Sequence, residues 1–160
     1  MMVDLRMLLQ RSVQMRELQR RDQKIRIETV IEPNLPKVWG DGHQLFQTFV
    51  QIIENALDAL EEAGGGLLCV TAQCQGEEVV VQFSDSGPGV KEPHRVFDPF
   101  YTTKPIGKGT GLGLSAVYGV VQEHQGQITC QKKPEGGAMF ILRLPIARPA
   151  DVQVLAAAHS

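Results

Sequence analysis

The sequence predicts an α+β two-layer sandwich in which much of the sheet is antiparallel. Three observations predict this class: helical and strand periodicities are interspersed, short polar turns join two pairs of strands, and 160 residues with 42% hydrophobic content suffice for one core. Because a short turn makes its two strands antiparallel, the pattern disfavours a doubly wound parallel sheet. We expect one domain at residues 1–145 and a tail or linker at residues 146–160.

The first half of the chain predicts a helix, a strand and a longer helix. Residues 3–21 have one apolar stripe, which predicts an amphipathic helix, and the near alternation of Ile25–Ile31 predicts a strand. A helix then begins at Asp41 or Gly42 and ends near Ala63, before a run of glycines. Its predicted buried face consists of Phe46, Phe49, Val50, Ile53, Leu57 and Leu60.

The second half predicts two hairpins separated by a loop and a helix. Leu67–Gln73 and Val79–Phe83 form the first hairpin, and Gln127–Lys132 and Ala138–Leu144 form the second. Residues 86–110 are rich in Gly, Pro, Lys and Thr and are too long for an ordinary connection, so they predict a functional loop. A helix is predicted at Leu112–His124.

Charge and cysteine content argue against several classes of function. The net charge of −2 gives no broad basic field, so neither nucleic-acid binding nor contact with an anionic membrane is expected. Cys69, Cys74 and Cys130 show no C-x-x-C spacing, which argues against a disulfide framework and a zinc site. This cysteine pattern predicts a reducing, cytoplasmic location. No apolar stretch approaches the roughly twenty residues of a membrane span, so if the parent protein is anchored in a membrane, we expect its anchor outside this chain.

Polar residues on the long helix form a candidate metal-binding face. Gln51, Asn55 and Asp58 fall at helical spacing opposite the apolar stripe. An amide oxygen such as that of Asn55 suits Mg²⁺, which takes oxygen ligands and bridges substrate phosphates. The alternative is a solvated helix face.

Residues 85–89, Asp-Ser-Gly-Pro-Gly, follow the predicted strand Val79–Phe83. Glycines at Gly87 and Gly89 permit close backbone approach to a flat ligand, and the Asp85 carboxylate can accept from the exocyclic amine of adenine. Guanine presents a carbonyl oxygen instead, so Asp85 would select ATP over GTP. The alternative is a plain Asp-Ser-Gly turn.

The glycine-rich segment 107–115 places backbone amides at the start of a predicted helix, where phosphate oxygens are favoured. Lys104 and Lys108 either neutralise phosphate charge or are solvated. A dinucleotide fingerprint would require a preceding strand, which the segment before Gly107 cannot form. The sequence contains neither a G-x-x-x-x-G-K-[ST] phosphate loop nor an H-R-D catalytic loop.

Residues 97–101, Phe-Asp-Pro-Phe-Tyr, form an aromatic cluster within an otherwise polar loop. The cluster predicts an anchor for a mobile lid or a patch for docking a partner. The alternative is a small satellite core.

Taken together and in order, segments 54–59, 85–89, 97–100 and 109–114 closely resemble the N, G1, F and G2 boxes of histidine-kinase catalytic domains. The similarity extends from about Asp4 to Pro145. It implies the Bergerat ATP-binding fold, with a mixed, mostly antiparallel sheet packed on three helices and a flexible ATP lid. Asp58 stands where many such kinases have lysine, a variant that resembles the nitrogen-regulation type of sensor kinase.

The resemblance also implies the roles of individual residues. Asn55 would coordinate Mg²⁺ and serve catalysis, Asp85 would bind adenine, and Phe97 and Phe100 would anchor a lid formed by residues 104–114. The implied ATP contacts are Asn55, Asp58, Ala59, Asp85, Gly87, Gly89, Val90, Phe97, Thr102, Thr103, Lys104, Gly107, Lys108, Gly109, Thr110, Gly111, Leu112, Gly113 and Leu114. Gln51 stands where hydrolytic relatives place a glutamate, so rapid ATP hydrolysis is not expected.

The function implied is transfer of the γ-phosphate of Mg·ATP to a histidine on a separate dimerisation and phosphoacceptor domain, and then to a response regulator. His43, His94, His124 and His159 lack the context of an acceptor histidine, so weak autophosphorylation is expected. Alternatives are a serine kinase of the anti-sigma type, a chaperone-type ATPase, and a nucleotide-sensing module that transfers nothing. The aromatic box at 97–100 disfavours the first two.

Overall fold

The computed structural model describes residues 1–19, 24–99 and 112–146. Within these ranges, α-helices pack against a mixed five-stranded sheet, which confirms the predicted α+β sandwich. The elements are β1 (Met2–Val3), α1 (Leu5–Gln19), β2 (Ile25–Ile31), β3 (Val38–Trp39), α2 (Gly42–Glu62), β4 (Gly66–Gln75), β5 (Glu78–Asp85), a 3₁₀ turn (Pro93–Arg95), α3 (Leu112–Glu123), β6 (Gln127–Lys132) and β7 (Ala138–Pro145).

The strand order of the sheet is β2-β4-β5-β7-β6. Strand β2 pairs with β4 in parallel, whereas the β4–β5, β5–β7 and β6–β7 pairs are antiparallel. Both predicted hairpins are confirmed, although β4 and β5 are longer than their patterns indicated. This order makes β5 the central strand. Asp85 is the last residue of β5, so it lies midway across the sheet, at the end of the strands.

Helix α2 supplies much of the core. Asp41 caps it by accepting a hydrogen bond from the Gln44 amide at 3.1 Å, and the chain leaves it through Gly64, whose φ is +88°. The buried face is wider than predicted because α1 and α3 contact the helix as well as β4 and β5. It includes Leu45, Ile52 and Ala56 in addition to the predicted residues, of which Phe46 is only partly buried.

Helix α1 covers one side of this core. The predicted stripe is buried, and the Ser12 hydroxyl donates to the Leu8 carbonyl at 2.6 Å, so this polar side chain is satisfied inside. Arg6 donates to the carbonyl oxygens of Ile31 and Glu32, which joins α1 to the end of β2. Arg16 forms an ion pair with Glu54 of α2.

A small antiparallel pair, β1 with β3, lies outside the main sheet and was not predicted. Each strand has two residues, too few to show a periodicity. Val38 of β3 also forms a bridge with Ile146, next to β7. Among the described residues, no helix is both long and apolar enough to cross a membrane.

The turn between β6 and β7 approaches the end of β5 closely. Gly137 has a φ of +92°, and a Cβ there would overlap the carbonyl oxygen of Asp85. Gly136 also has a positive φ, +105°, but a Cβ there would meet nothing within 4 Å. An alanine at Gly136 would therefore add backbone strain alone, whereas an alanine at Gly137 would add both strain and steric overlap.

We expect Gly136→Ala to lower the free energy of unfolding by about 1 kcal/mol, from left-handed strain alone. Gly137→Ala should lower it by about 2 kcal/mol more, because the added methyl group also overlaps backbone. Urea denaturation of both variants at matched m-values measures the difference. Equal losses would show that the approach of Gly137 to Asp85 does not constrain the fold.

Candidate functional site

The polar face of α2 lies between two other segments of the chain. Gln51, Asn55, Asp58 and Ala59 are all half-buried and share one side of the helix. This side is oriented by the apolar residues opposite, which the core buries. The predicted polar face is therefore present, and it is not freely solvated.

Asp85 is a buried carboxylate, with only 3% of its surface exposed. Its Oδ1 accepts hydrogen bonds from the amides of Gly87 at 2.9 Å and Ala138 at 3.4 Å. The following residue, Ser86, accepts a hydrogen bond from the Leu67 amide at 2.9 Å and so ties the loop to β4. These hydrogen bonds hold Asp85 in one position, which is what a side chain that recognises a ligand requires.

The electrostatic state of Asp85 reflects opposing effects. Burial raises the pKa of its carboxyl above the ordinary 3.8, while hydrogen bonds from Gly87 and Ala138 and the charge of Lys133 lower it. Lys133, in the β6–β7 turn, also donates from Nζ to the Asp85 carbonyl oxygen at 3.0 Å. Lys133 was not predicted from the sequence, because no local pattern links it to a residue 48 positions away.

The Asp85 loop and the start of α3 both lie next to helix α2. A Cβ at Gly87 would lie 3.6 Å from the Leu60 side chain and 3.8 Å from the Ala59 backbone. A Cβ at Gly113 would lie 2.7 Å from the Gln51 side chain. Asn55 is one helical turn from each contact, about 6 Å along the axis.

Gly113 therefore lies against the end of the flexible Gln51 side chain, which a Cβ at this position would displace. Gly89, with a φ of +86°, lies against the Gly137 carbonyl, since a Cβ there would be 3.2 Å from that oxygen. Val90 and Leu114 are partly buried and pack against the core. Their predicted contacts with ATP remain predictions.

Phe97 is partly buried and packs against the core. Its ring centroid lies 5.7 Å from that of Tyr118 in α3 and 6.0 Å from that of Phe140 in β7, and neighbouring Val96 is buried. These contacts agree with the alternative given above, in which the aromatic cluster packs beside the core. They also join the loop before the predicted lid to α3, as an anchor would.

Several predicted site residues lie outside the described residues. They are Phe100, Thr102, Thr103, Lys104, Gly107, Lys108, Gly109, Thr110 and Gly111. Leu112 begins α3, but its side chain is not described.

Comparison with known proteins decides the family. Residues 40–148 match the family described as histidine kinase-, DNA gyrase B-, and HSP90-like ATPases. The chain belongs to this family. The match covers α2, the end of β5 and α3, the three segments that approach one another at the candidate site.

Curated relatives of this ATPase-family domain include sensor kinases. The chain is 33% identical over 120 residues to sporulation kinase E of Bacillus subtilis, covering 74% of this chain and 16% of that protein. It is 32% identical over 146 residues to the sensor histidine kinase ZraS of Escherichia coli, covering 90% of this chain and 30% of ZraS. The chain therefore spans less than a third of each of these relatives.

Solved structures give the same result. A mycobacterial sensor histidine kinase, MprB, matches with a TM-score of 0.79 and 27% identity over 91% of this chain and 97% of that one. The catalytic domain of the histidine kinase ThkA matches with a TM-score of 0.80 and 26% identity over 92% and 98%. The predicted resemblance to a catalytic ATP-binding domain of sensor histidine kinases is confirmed, and the nitrogen-regulation subtype stays a prediction.

The raised pKa of Asp85 yields a prediction about stability. The folded state holds the carboxyl proton more tightly than the unfolded state, so the free energy of unfolding falls as pH rises from 3.8 through the raised pKa. Asp85→Asn should remove this slope and be at least as stable as wild type at pH 7, because the amide oxygen still accepts from Gly87 and Ala138.

The matched control is Asp85→Ala, which leaves both amides without an acceptor and should cost about 1–3 kcal/mol. Thermal unfolding of the three proteins between pH 4 and pH 7 measures these effects. An Asp85→Asn protein that is as unstable as Asp85→Ala at pH 7 would contradict the proposed cost of burying the charge.

Proposed function

We propose that this domain binds Mg·ATP and donates the γ-phosphate to a histidine on a separate dimerisation and phosphoacceptor domain, from which a response regulator is phosphorylated. The observation that carries the proposal is the buried Asp85 carboxylate at the end of β5, beside the polar face of α2. A buried acid in a fixed position beside half-buried oxygen donors is a typical ligand site.

Asp85 is assigned to the adenine base. Both described amide hydrogen bonds reach its Oδ1, so we assign Oδ2 to the exocyclic amine of adenine. Guanine would place a carbonyl oxygen there and be repelled. A Cβ at Gly87 would lie 3.8 Å from the Ala59 backbone, so the base would lie beside both the Asp85 loop and α2.

Asn55 is assigned to Mg²⁺. Its amide oxygen is a hard, neutral donor, and no group of three or more His, Cys, Asp or Glu side chains in the described part of the chain is arranged to hold a metal by itself. That donor set fits Mg²⁺, which binds few protein ligands and takes the rest from phosphates and water. When bound, the ion neutralises charge on the phosphates.

The triphosphate is assigned to the start of α3. Gly113 contacts Gln51, which lies one helical turn from Asn55, so the amino end of α3 is close to the proposed metal ligand. Unpaired amides at a helix start favour phosphate oxygens. Lid contacts from Thr102, Thr103, Lys104, Lys108 and the glycines are proposed from the sequence motif.

Catalysis would rest on position and charge neutralisation, because the nucleophile comes from elsewhere. Gln51 is an amide and cannot act as a general base on water. His43 and His94 are exposed, whereas His124 uses both ring nitrogens: Nε2 accepts from the Asp41 amide at 3.0 Å, and Nδ1 lies 2.8 Å from the Val120 carbonyl oxygen. Weak autophosphorylation, a domain boundary at residue 145 and a cytoplasmic location complete the proposal.

Nucleotide titration tests the two main assignments. Asp85→Asn should weaken ATP binding roughly ten- to a hundredfold, through loss of a bond to a charged group, and reduce the preference for ATP over GTP. Asn55→Ala should abolish the gain in affinity that Mg²⁺ gives while leaving Mg²⁺-free binding close to wild type. Calorimetry with and without EDTA measures both.

The matched control is Gln47→Ala, which removes an exposed amide from the same helix. It should leave affinity, base preference and the Mg²⁺ effect unchanged. If Asp85→Asn and Asn55→Ala both bind like this control, the site assignment is wrong.

Phosphoryl transfer is tested with γ-labelled ATP and the helical acceptor domain of a sensor kinase from the same family. Label should appear on the acceptor histidine and disappear when that histidine is replaced by alanine. Asn55→Ala should reduce transfer because the phosphates lose their metal bridge. The decisive measurement uses the cognate acceptor domain: if ATP binds with the predicted base preference but that domain takes up no label, the chain is a nucleotide-sensing module instead.

A further inference from the structure

The β6–β7 turn carries a lysine that is largely enclosed. The Lys133 side chain is 17% exposed. Its backbone is fixed by two hydrogen bonds within the turn, from the Lys133 amide to the Gly137 carbonyl and from the Gly136 amide to the Lys133 carbonyl, each 3.0 Å long. Ordering a lysine in this way loses side-chain entropy, which a specific interaction must offset.

That interaction is with Asp85. Lys133 Nζ donates to the Asp85 carbonyl oxygen at 3.0 Å, and two residues next to the turn complete the contact. Ala138 donates its amide to Oδ1 at 3.4 Å, and Gly137 packs against the Asp85 backbone with no room for a Cβ. One turn therefore holds both the peptide and the carboxylate of this residue.

Resting on the proposed function, we propose that Lys133 is a positioning residue of the adenine site: its ammonium group fixes the backbone of Asp85 and keeps the carboxylate ionised for the base. Lys133 need not touch the nucleotide. It acts by orienting the acceptor in advance and by supplying the opposite charge that a buried carboxylate requires.

The charges around Asp85 support this role. Lys133 lowers the pKa of Asp85 against the larger effect of burial, which raises it. Cys130 of β6 also faces Asp85, but burial and the Asp85 charge raise the pKa of its thiol to about 12, so it is neutral at physiological pH. Glu135 Oε1 lies 3.9 Å from Lys133 Nζ and its side chain is 71% exposed, so solvent screens it.

The pH dependence of nucleotide affinity separates this role from a structural one. Affinity should fall at low pH as Asp85 becomes protonated, because a neutral carboxyl oxygen accepts from the adenine amine more weakly than a charged one does. Removing the positive charge raises the pKa of Asp85 further, so Lys133→Met should lose affinity at a higher pH than wild type. It should also bind ATP about tenfold less tightly at neutral pH. Lys133→Arg keeps the charge and should restore the wild-type profile.

Lys132→Met is the matched control, since it removes an exposed lysine from the preceding position and should leave the profile unchanged. ATP titrations between pH 5 and pH 8 are run on these proteins, with Lys133→Met also placed in the Asp85→Asn background. There the shift of the pH profile should vanish, because no carboxylate remains to be kept ionised, and only the loss that comes from the released backbone should remain. Thermal unfolding confirms that each variant is folded.

The outcomes distinguish this inference from the proposed function. If wild type binds no adenine nucleotide, or Asp85→Asn binds as tightly as wild type, the proposed site is wrong. If Asp85→Asn weakens binding but Lys133→Met behaves like Lys132→Met, only the positioning role is overturned. A Lys133→Met profile that is not displaced to higher pH than the wild-type profile would overturn it as well.

Discussion

Burial of the Asp85 carboxylate is the constraint on which the candidate site depends. A carboxylate in the interior is costly unless hydrogen bonds and an opposite charge compensate it. Here the amides of Gly87 and Ala138 and the charge of Lys133 offset part of this cost, and they come from two different segments. The backbone can approach this closely only because Gly137 has no side chain to obstruct it.

The sequence predicted the fold well wherever apolar residues recur with a regular period along an element that buries one face. Helix α2 and the two hairpins were predicted within a few residues, since their periodicities report burial directly. The parallel pairing of β2 with β4 and the strand order were not predicted, because pairing between distant strands leaves no local pattern. The β1–β3 pair was missed because two-residue strands have no period.

The motifs of the candidate site could be read from the sequence, but the distant residues that contact those motifs could not. Asp85 and Asn55 were identified from local motifs whose chemistry is specific. Lys133 lies in an ordinary-looking turn, and its contact with Asp85 depends on how β5 and β7 pair. The same holds for Gly113. Its motif predicted a contact with phosphate alone, whereas its neighbour in the described structure is Gln51.

The central position of β5 has a consequence for how the domain loses its ligand. Edge strands open by local fraying, but a strand paired on both sides opens only when much of the sheet does. Asp85 is the last residue of such a strand, and its carboxylate is the group that we propose for the base. Nucleotide bound at this proposed site would therefore be linked to the cooperative unfolding of the sheet rather than to fraying at its edges.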